Sequence, residues 1–176
     1  RAKIHYESAL PLFRGENNRS GISRVLNNLG NMEFAEKNFE KARQLYEESL
    51  TYEEPHSWGA AITSINLGSL ARLREDWEQA RKYYLHTREI CERLGSETGV
   101  SSATLWLATL ELALRNLEEA TKGFESGFKA TWIRTNPLVR GIAEGFFAYV
   151  DLLMDNEKDV RQRLSQPIEA SAEFLD

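Results

Sequence analysis

The side chains that most often carry out chemistry are few and scattered in this sequence. The three histidines lie far apart along the chain, at His5, His56 and His86. Only His86 lies near the single cysteine, Cys91. No HExxH or CxxC motif and no paired-ligand spacing occurs, so we expect no metal site. We expect Cys91 to be a small buried apolar residue rather than a reactive thiol.

Other catalytic motifs are also missing from the sequence. The glycines are spread singly along the chain and form no phosphate-binding loop, and neither a nucleophile elbow nor a triad order is present. The acidic pairs have Lys and Arg four residues away, which is typical of solvated helix surface. These pairs are Glu47-Glu48, Glu53-Glu54 and Glu118-Glu119. The sequence therefore predicts a non-catalytic protein without a cofactor.

The composition is that of an ordinary globular chain. It has 176 residues, of which 41% are apolar and 28% charged, and 22 basic against 27 acidic residues give a net charge of −5. No apolar run approaches the about 18 residues that would span a membrane, and the acidic balance disfavours a nucleic-acid partner. A lone cysteine excludes an internal disulfide framework and favours a reducing, cytoplasmic location. Because the chain begins at Arg1 without a methionine, we expect a piece of a longer protein.

A self-similar unit repeats along the chain. Three segments align without gaps, and their shared small residues are Ala42, Ala80 and Ala120, at spacings of 38 and 40. Within one unit, apolar residues recur at three- and four-residue steps, as on one face of an amphipathic helix. A polar turn and a second such helix follow. We expect these turns at Lys37-Asn38, Glu75-Asp76 and Arg115-Asn116, and helix N-caps at Ser20 and Ser57.

These units resemble the tetratricopeptide repeat, whose signature is W-x₂-L-G-x₂-Y followed by A-x₃-F. The L-G pair is matched by Leu29-Gly30 and Leu67-Gly68. The A-x₃-F step is matched by Ala42 to Tyr46, Ala80 to Tyr84 and Ala120 to Phe124. The sequence departs from the signature where Trp and Tyr are expected, at Leu26, Ser64 and Thr104 and at Glu33, Ala71 and Glu111. The long repeats are similar to those of large bacterial regulatory proteins.

The resemblance implies an all-α fold, a right-handed α-solenoid of antiparallel helical hairpins that forms a superhelix. We expect one repeat domain over residues 1–176. Its parts are the second helix of a truncated repeat at 2–14, repeats at 20–53, 57–94 and 98–131, a degenerate repeat at 137–166 and a terminal cap at 167–176.

The resemblance also implies that the first helix of each repeat lines a concave groove. The predicted partner-binding residues are Arg24, Asn27, Asn28, Asn31, Phe34, Ile62, Ile65, Asn66, Ser69, Arg72, Leu105, Trp106, Thr109 and Tyr149. Amides at the N-terminal end of this set can pair with a peptide backbone, and aromatic residues at the other end can act as anchors. The alternative is that Trp106, Phe146 and Tyr149 pack beneath a C-terminal cap. The cations of a chaperone-type carboxylate clamp are missing, so we expect no such clamp.

The sequence thus predicts a non-catalytic protein- or peptide-binding scaffold, the interaction or sensing region of a larger cytoplasmic protein. One alternative is self-assembly, in which the solenoid ends form a homodimer through the apolar side of Ile4, Tyr6 and Leu10. Another is a regulatory domain of a transcriptional or nucleotide-switch regulator. No nucleic acid, membrane, metal or cofactor is expected as a partner.

Overall fold

All regular structure in the described part of the protein is helical. The computed structural model describes residues 2–129 and 137–154. Their helices are α1 (Ala2–Gly15), α2 (Arg19–Ala35), α3 (Phe39–Tyr52), α4 (Trp58–Leu73), α5 (Trp77–Arg93), α6 (Glu97–Ala113), α7 (Leu117–Gly127) and α8 (Pro137–Leu153). This confirms the predicted all-α class of consecutive helical hairpins. The predicted cap at 167–176 lies outside the described residues, as does the part of the degenerate repeat after residue 154.

The chain divides into two compact units, Arg1–Gly95 and Ser96–Asp176. In unit 1, α2 pairs with α3 and α4 pairs with α5, while α1 packs on α2 and α3 packs on α4. Helices α2 and α4 also contact each other, so the first helices of both hairpins lie side by side. In unit 2, α6 pairs with α7, and α8 packs on α7.

Each of the three hairpins turns through one residue with a left-handed backbone. Lys37, Glu75 and Arg115 have φ values of 64°, 59° and 63°. The next residue then donates its N–H to a carbonyl of the preceding helix: Asn38 bonds Glu33 at 2.8 Å, Asp76 bonds Ala71 at 3.0 Å and Asn116 bonds Glu111 at 2.9 Å. This is the Schellman geometry that ends a helix and satisfies its last carbonyls. The turns lie where the sequence predicts them.

Of the two predicted N-caps, one is right and one is wrong. The Ser57 hydroxyl accepts the Ala60 N–H at 3.0 Å at the start of α4. At the start of α2 the cap is Asn18 instead of Ser20, because the Asn18 side chain accepts the Gly21 N–H at 2.9 Å. Asn18 is a strong capping residue that directly follows the left-handed Asn17.

A close helix–helix contact recurs in all three hairpins. A Cβ added at Gly30 would lie 2.5 Å from the Tyr46 ring, and one added at Gly68 would lie 2.6 Å from the Tyr84 ring. In the third hairpin Ala108 stands at the equivalent place, and the missing Cβ is on the partner helix. There, a Cβ added at Gly123 would lie 2.8 Å from that of Ala108. The paired helices thus approach closely in all three hairpins. The glycine that permits this lies on the first helix in two hairpins and on the second helix in the third.

A buried hydroxyl also joins the two helices of each hairpin at the same level. Ser49 donates to the Ser23 carbonyl at 2.9 Å. The Thr87 hydroxyl bonds the Tyr83 carbonyl of its own helix at 3.0 Å and lies 3.4 Å from the Ala61 carbonyl of the paired helix. In the third hairpin the second helix carries Gly127, which has no hydroxyl. The donor is therefore Ser101 on the first helix, which bonds the Gly127 carbonyl.

Candidate functional site

An open cavity of about 520 Å³ lies between the first helices of unit 1. We name it the α2/α4 cavity. It is lined by Ser20, Ser23, Arg24, Asn27, Asn28, Asn31, Glu53, Ser57, Trp58, Gly59, Ile62 and Thr63. Five predicted partner-binding residues are in this lining: Arg24, Asn27, Asn28, Asn31 and Ile62. Its volume lies within the range of about 300–1,000 Å³ that is typical of ligand-binding clefts.

Three asparagines form a connected amide network at one end of this cavity. Asn27 is buried, and its Nδ2 donates to Thr63 Oγ1 at 2.7 Å. Asn66 Nδ2 donates to Asn31 Oδ1 at 3.1 Å and lies 3.4 Å from Asn27 Oδ1. Part of the predicted hydrogen-bonding capacity is therefore used within the protein. Asn27 in particular holds α2 against α4 rather than facing solvent.

The Tyr46 hydroxyl sets the orientation of the exposed amide in this network. Tyr46 is 2% exposed, and its hydroxyl donates to Asn31 Oδ1 at 2.8 Å. Burial raises the pKa of Tyr46 to about 12, so the phenol keeps its proton and remains a donor. Asn31 Oδ1 already accepts from Tyr46 and Asn66, and Asn31 Nδ2 donates to Asn27 Oδ1 at 3.5 Å. The second N–H of Asn31 Nδ2 is therefore the group left to donate outward. Asn66, whose Nδ2 is engaged, presents its Oδ1 as an acceptor.

The equivalent positions in the other hairpins carry different chemistry. In the second hairpin, the Tyr84 hydroxyl lies 3.5 Å from Ser69 Oγ. In the third, Phe124 has no hydroxyl, and Thr109 bonds the Leu105 and Trp106 carbonyls of its own helix at 2.9 and 2.8 Å. The outward-facing amide is thus particular to the first hairpin.

Glu53 occupies the other end of the α2/α4 cavity. Its two carboxylate oxygens accept from two serines: Ser23 bonds Oε1, and Ser57 bonds Oε2 at 2.5 Å. A Cβ added at Gly59 would lie 2.1 Å from Glu53 Oε1, so a larger residue at this position would shift the carboxylate away from the start of α4. Glu53 is half-buried. The expectation that this acidic pair is solvated surface is therefore wrong for Glu53.

The rim of the α2/α4 cavity is partly apolar and partly charged. Trp58 is 50% exposed and Ile62 41% exposed. Arg24 is exposed and Asn28 half-buried, and neither makes a side-chain hydrogen bond or ion pair within residues 2–129 and 137–154. These four side chains are free to contact a bound molecule without breaking an internal interaction.

The remaining predicted residues of unit 1 are spread over packing and surface positions. Phe34 packs against the buried cluster of Ala42, Tyr46, Leu67 and Leu70, and its ring meets that of Phe39 edge-on at 5.7 Å. Ile65, Ser69 and Arg72 are half-buried on α4. The Arg72 Nε is buried and has no hydrogen-bond partner in the described part of the chain.

The predicted residues of unit 2 lie at packed, half-buried and exposed positions. Leu105 packs against the buried cluster around Phe124 and Val150. Trp106 and Thr109 are half-buried on α6. Tyr149 on α8 is 49% exposed, whereas nearby Phe146 stacks on Phe124 with ring centroids 5.1 Å apart. Phe146 is therefore a packing residue. The partner-binding role of Tyr149 stays a prediction.

A buried ion cluster lies outside the cavity, at the junction of three helices. Glu33 on α2 is 1% exposed, and its Oε1 pairs with Lys3 of α1 at 3.0 Å and with Lys41 of α3 at 2.7 Å. Its Oε2 accepts the Asn38 amide at 2.8 Å. Hydrogen bonds from Lys41 and Asn38 lower the pKa of Glu33 to about 2. Glu33, which stands where the repeat signature has tyrosine, is thus the centre of an ion cluster that joins α1 to the first hairpin.

A second cavity of about 520 Å³ lies on the other side of unit 1, between α3 and α5. Its floor is Leu67, Leu70 and Ala71, and its rim is mostly charged. Rim residues Glu40 and Arg43 already pair with each other at 2.5 Å, and Glu47 pairs with Arg43 at 2.7 Å. These paired charges make this cavity a less favourable binding site than the α2/α4 cavity.

Sequence reasoning missed Glu53, Trp58, Ser23 and Thr63 as lining residues. One signal was available, since Gly21, Gly59 and Gly99 recur at spacings of 38 and 40, as the repeat does.

In the described part of the chain, no group of three His, Cys, Asp or Glu is placed to hold a metal ion. None of its helices combines the length and apolarity needed to cross a membrane.

Comparison with known proteins agrees with this architecture. Residues 23–52 and 61–94 match a family model described as tetratricopeptide repeat. The crystal structure of BtubC (BKLC) from P. vanneervenii is similar, with a TM-score of 0.81 at 16% identity, covering 97% of this chain and 74% of that one. The structure of MamA MSR-1 C2 matches with a TM-score of 0.60 at 12% identity, covering 98% of both chains. No curated protein matches the sequence.

Proposed function

We propose, from the premise that this chain carries tetratricopeptide repeats, that it is a non-catalytic scaffold holding an extended segment of a partner protein at the α2/α4 cavity. Repeats of this kind generally mediate protein–protein interaction, because stacked hairpins present long rows of side chains from successive first helices. The two matched segments contain most of α2 and α4, whereas Glu53, Trp58 and Gly59 of the lining lie just outside them.

The fixed polarity of the amide network is the observation that carries this proposal. Asn31 presents a donor and Asn66 an acceptor, and internal hydrogen bonds hold both in place. An extended peptide offers unpaired N–H and C=O groups, which require acceptors and donors at set positions. Because the amides are already ordered, little side-chain entropy is lost on binding.

Two apolar side chains beside the amides supply anchoring contacts. Trp58 and Ile62 are about half exposed in the free protein, so a bound residue can bury them further. Aromatic residues at the centre of an interface contribute much of its binding energy. The site thus combines main-chain recognition at Asn31 and Asn66 with side-chain recognition at Trp58 and Ile62.

Selection from a random peptide library, displayed on phage and presented to the full chain, tests the proposal. We expect enriched peptides whose affinity, measured by fluorescence anisotropy, falls about tenfold or more for the double variant Asn28→Ala, Ile62→Ala. The matched control is Glu78→Ala, Lys82→Ala on the exposed side of α5, which we expect to bind normally. Failure to enrich any peptide, or an equal loss in the control, contradicts the proposal.

We place this scaffold in the cytoplasm, within a larger protein. Cys91, the lone cysteine, is 1% exposed on α5, and burial raises the pKa of its thiol. A buried thiol of this kind is protected from oxidation and is compatible with a reducing compartment. Reaction of the folded chain with a thiol reagent checks the burial, since labelling should occur only after denaturation.

A second candidate, self-assembly, is favoured by the surface of α1. None of its residues is buried, and Ile4 and Leu12 are 65% and 68% exposed. A second copy of the chain that packs on this helix would bury both. Sedimentation at several concentrations tests it: a dimer that Ile4→Ser, Leu12→Ser abolishes supports self-assembly, and a concentration-independent monomer contradicts it.

A further inference from the structure

Glu53 is a half-buried carboxylate in the lining of the α2/α4 cavity. It accepts a hydrogen bond from the Ser23 hydroxyl on one oxygen and from the Ser57 hydroxyl on the other. An ionised carboxylate has about four acceptor sites, so each Glu53 oxygen can accept again. The side chain is therefore held in place with capacity left for a ligand.

No cation in the described part of the chain neutralises this carboxylate. Among residues 2–129 and 137–154, Glu53 forms no ion pair with Lys, Arg or His. The neighbouring Arg19 is committed elsewhere, since its guanidinium donates to the Thr51 carbonyl at 2.8 Å and lies over the Tyr52 ring at 5.7 Å. By contrast, the buried Glu33 is paired with two lysines.

The surroundings of Glu53 favour a cation over a neutral group. Trp58 lines the same cavity and is 50% exposed, and an indole face attracts a positive charge. A half-buried carboxylate is screened less by water than an exposed one, so a positive charge beside it interacts with it more strongly. Arg24, the cation of the lining, is exposed and solvated, which makes it the weaker of the two charged contacts.

We infer that the α2/α4 cavity takes a basic side chain, Lys or Arg, of the bound peptide, with its charge on Glu53 and its stem against Trp58. This inference rests on the proposed peptide-binding function and adds the class of residue recognised. Gly59 is part of the subsite, because a Cβ there would displace the Glu53 carboxylate. The amides recognise the peptide main chain, and Glu53 selects one side chain.

A positional library of short peptides, acetylated and amidated at their ends, tests the inference on the full chain. We expect enrichment of Lys or Arg at one position, and replacement of that residue by Gln should weaken binding about tenfold. For the Glu53→Gln protein, the Lys and Gln peptides should bind equally, at the level of the Gln peptide on the natural chain. Glutamine can still bond both serines, because their hydroxyls rotate to donate or accept.

The outcomes separate this inference from the function on which it rests. Peptides that bind without a basic preference, or a preference that survives Glu53→Gln, overturn the inference and leave peptide binding intact. If no peptide binds at all, both fail. A Gln peptide whose affinity is restored by a free N-terminus assigns the subsite to a terminal ammonium and overturns the side-chain assignment. If Glu53→Gln lowers the melting temperature, the variant Trp58→Leu is tested in its place. It should weaken binding of the Lys peptide more than binding of the Gln peptide.

Discussion

Tyr46 lies in the core of unit 1, yet its hydroxyl bonds Asn31, which lines the α2/α4 cavity. The ring fills the space left by Gly30, and the hydroxyl donates to Asn31 at 2.8 Å. One residue thus joins the packing of the hairpin to the polarity of the α2/α4 cavity. In the third hairpin Phe124 keeps the packing but has no hydroxyl, so these two properties are separable.

Replacing Tyr46 with Phe tests the polar part alone. We expect Tyr46→Phe to lower the free energy of unfolding by about 1 kcal/mol, because one half-buried hydrogen bond is lost. Peptide affinity should fall about threefold, since Asn31 then loses one of the hydrogen bonds that hold its amide in place. Chemical denaturation and anisotropy measure the two effects. Tyr83→Phe is the control: the Tyr83 hydroxyl makes no hydrogen bond in the described part of the chain, and its variant should show neither change.

Glu33 makes the stability of the first hairpin depend on acid pH. Its pKa is lowered from 4.5 to about 2 by Lys41, Asn38 and Lys3. A lowered folded-state pKa stabilises the protein above the unfolded-state value, and this stabilisation is lost as the pH falls from 4.5 toward 2. We expect Glu33→Gln to lower the free energy of unfolding by about 2 kcal/mol at neutral pH, a figure reduced for the solvent exposure of both lysines.

Urea denaturation across this pH range measures the effect of Glu33. The natural chain and Glu33→Gln should converge in stability near the acid end, where the carboxylate is protonated in both states. Glu125→Gln is the same chemical change at an exposed position that has no ion pair among the described residues. A constant difference between natural chain and Glu33→Gln at all pH values would show that the ion cluster is not the cause.

At the scale of the helix pair, one small residue and one aromatic ring set the closest approach. In the first hairpin these are Gly30 and Tyr46, with 2.5 Å between the ring and an added Cβ. The ring is buried and cannot move aside, so a methyl group here overpacks the core. This explains why glycine is kept in mid-helix, where it lowers helix propensity by about 1 kcal/mol.

The variant Gly30→Ala should therefore lower the free energy of unfolding by about 1 to 2 kcal/mol, after the gain in helix propensity. Gly15→Ala, at the end of α1 with nothing within 4 Å, is the matched control and should be neutral or slightly stabilising. Thermal denaturation of the two variants compares them directly. Equal stability of both variants would refute the packing role assigned to Gly30.

The helices and their turns could be predicted from the sequence, whereas some contacts between the helices could not. Hydrophobic spacing and the repeat predict the helices and the polar turns, because both depend on local periodicity. The environment of Glu53 could not be predicted, since it depends on how Ser23, Ser57 and a missing Cβ at Gly59 meet in three dimensions. Burial of Asn27 was missed for a similar reason, because its partner Thr63 belongs to another hairpin.

At the scale of the whole molecule, similar hairpins carry different surfaces. Unit 1 presents an amide-lined cavity with a carboxylate at one end, whereas the described part of unit 2 is dominated by packed phenylalanines. Both keep the same turns and the same buried hydroxyl between paired helices. The fold thus tolerates changes on its outer positions while the contacts within each hairpin stay fixed, as expected for a repeat protein that serves as a binding scaffold.

Side-chain amide NMR of the full chain, with a library-selected peptide added, tests the central claim most directly. The claim is that the α2/α4 cavity binds the peptide through oriented amides. We predict that the NH₂ resonances of Asn28 and Asn31 shift on binding, while those of Asn17 and Asn116, which lie in turns outside the cavity, do not. Shifts confined to residues lining the α3/α5 cavity, such as Gln79, would contradict the claim.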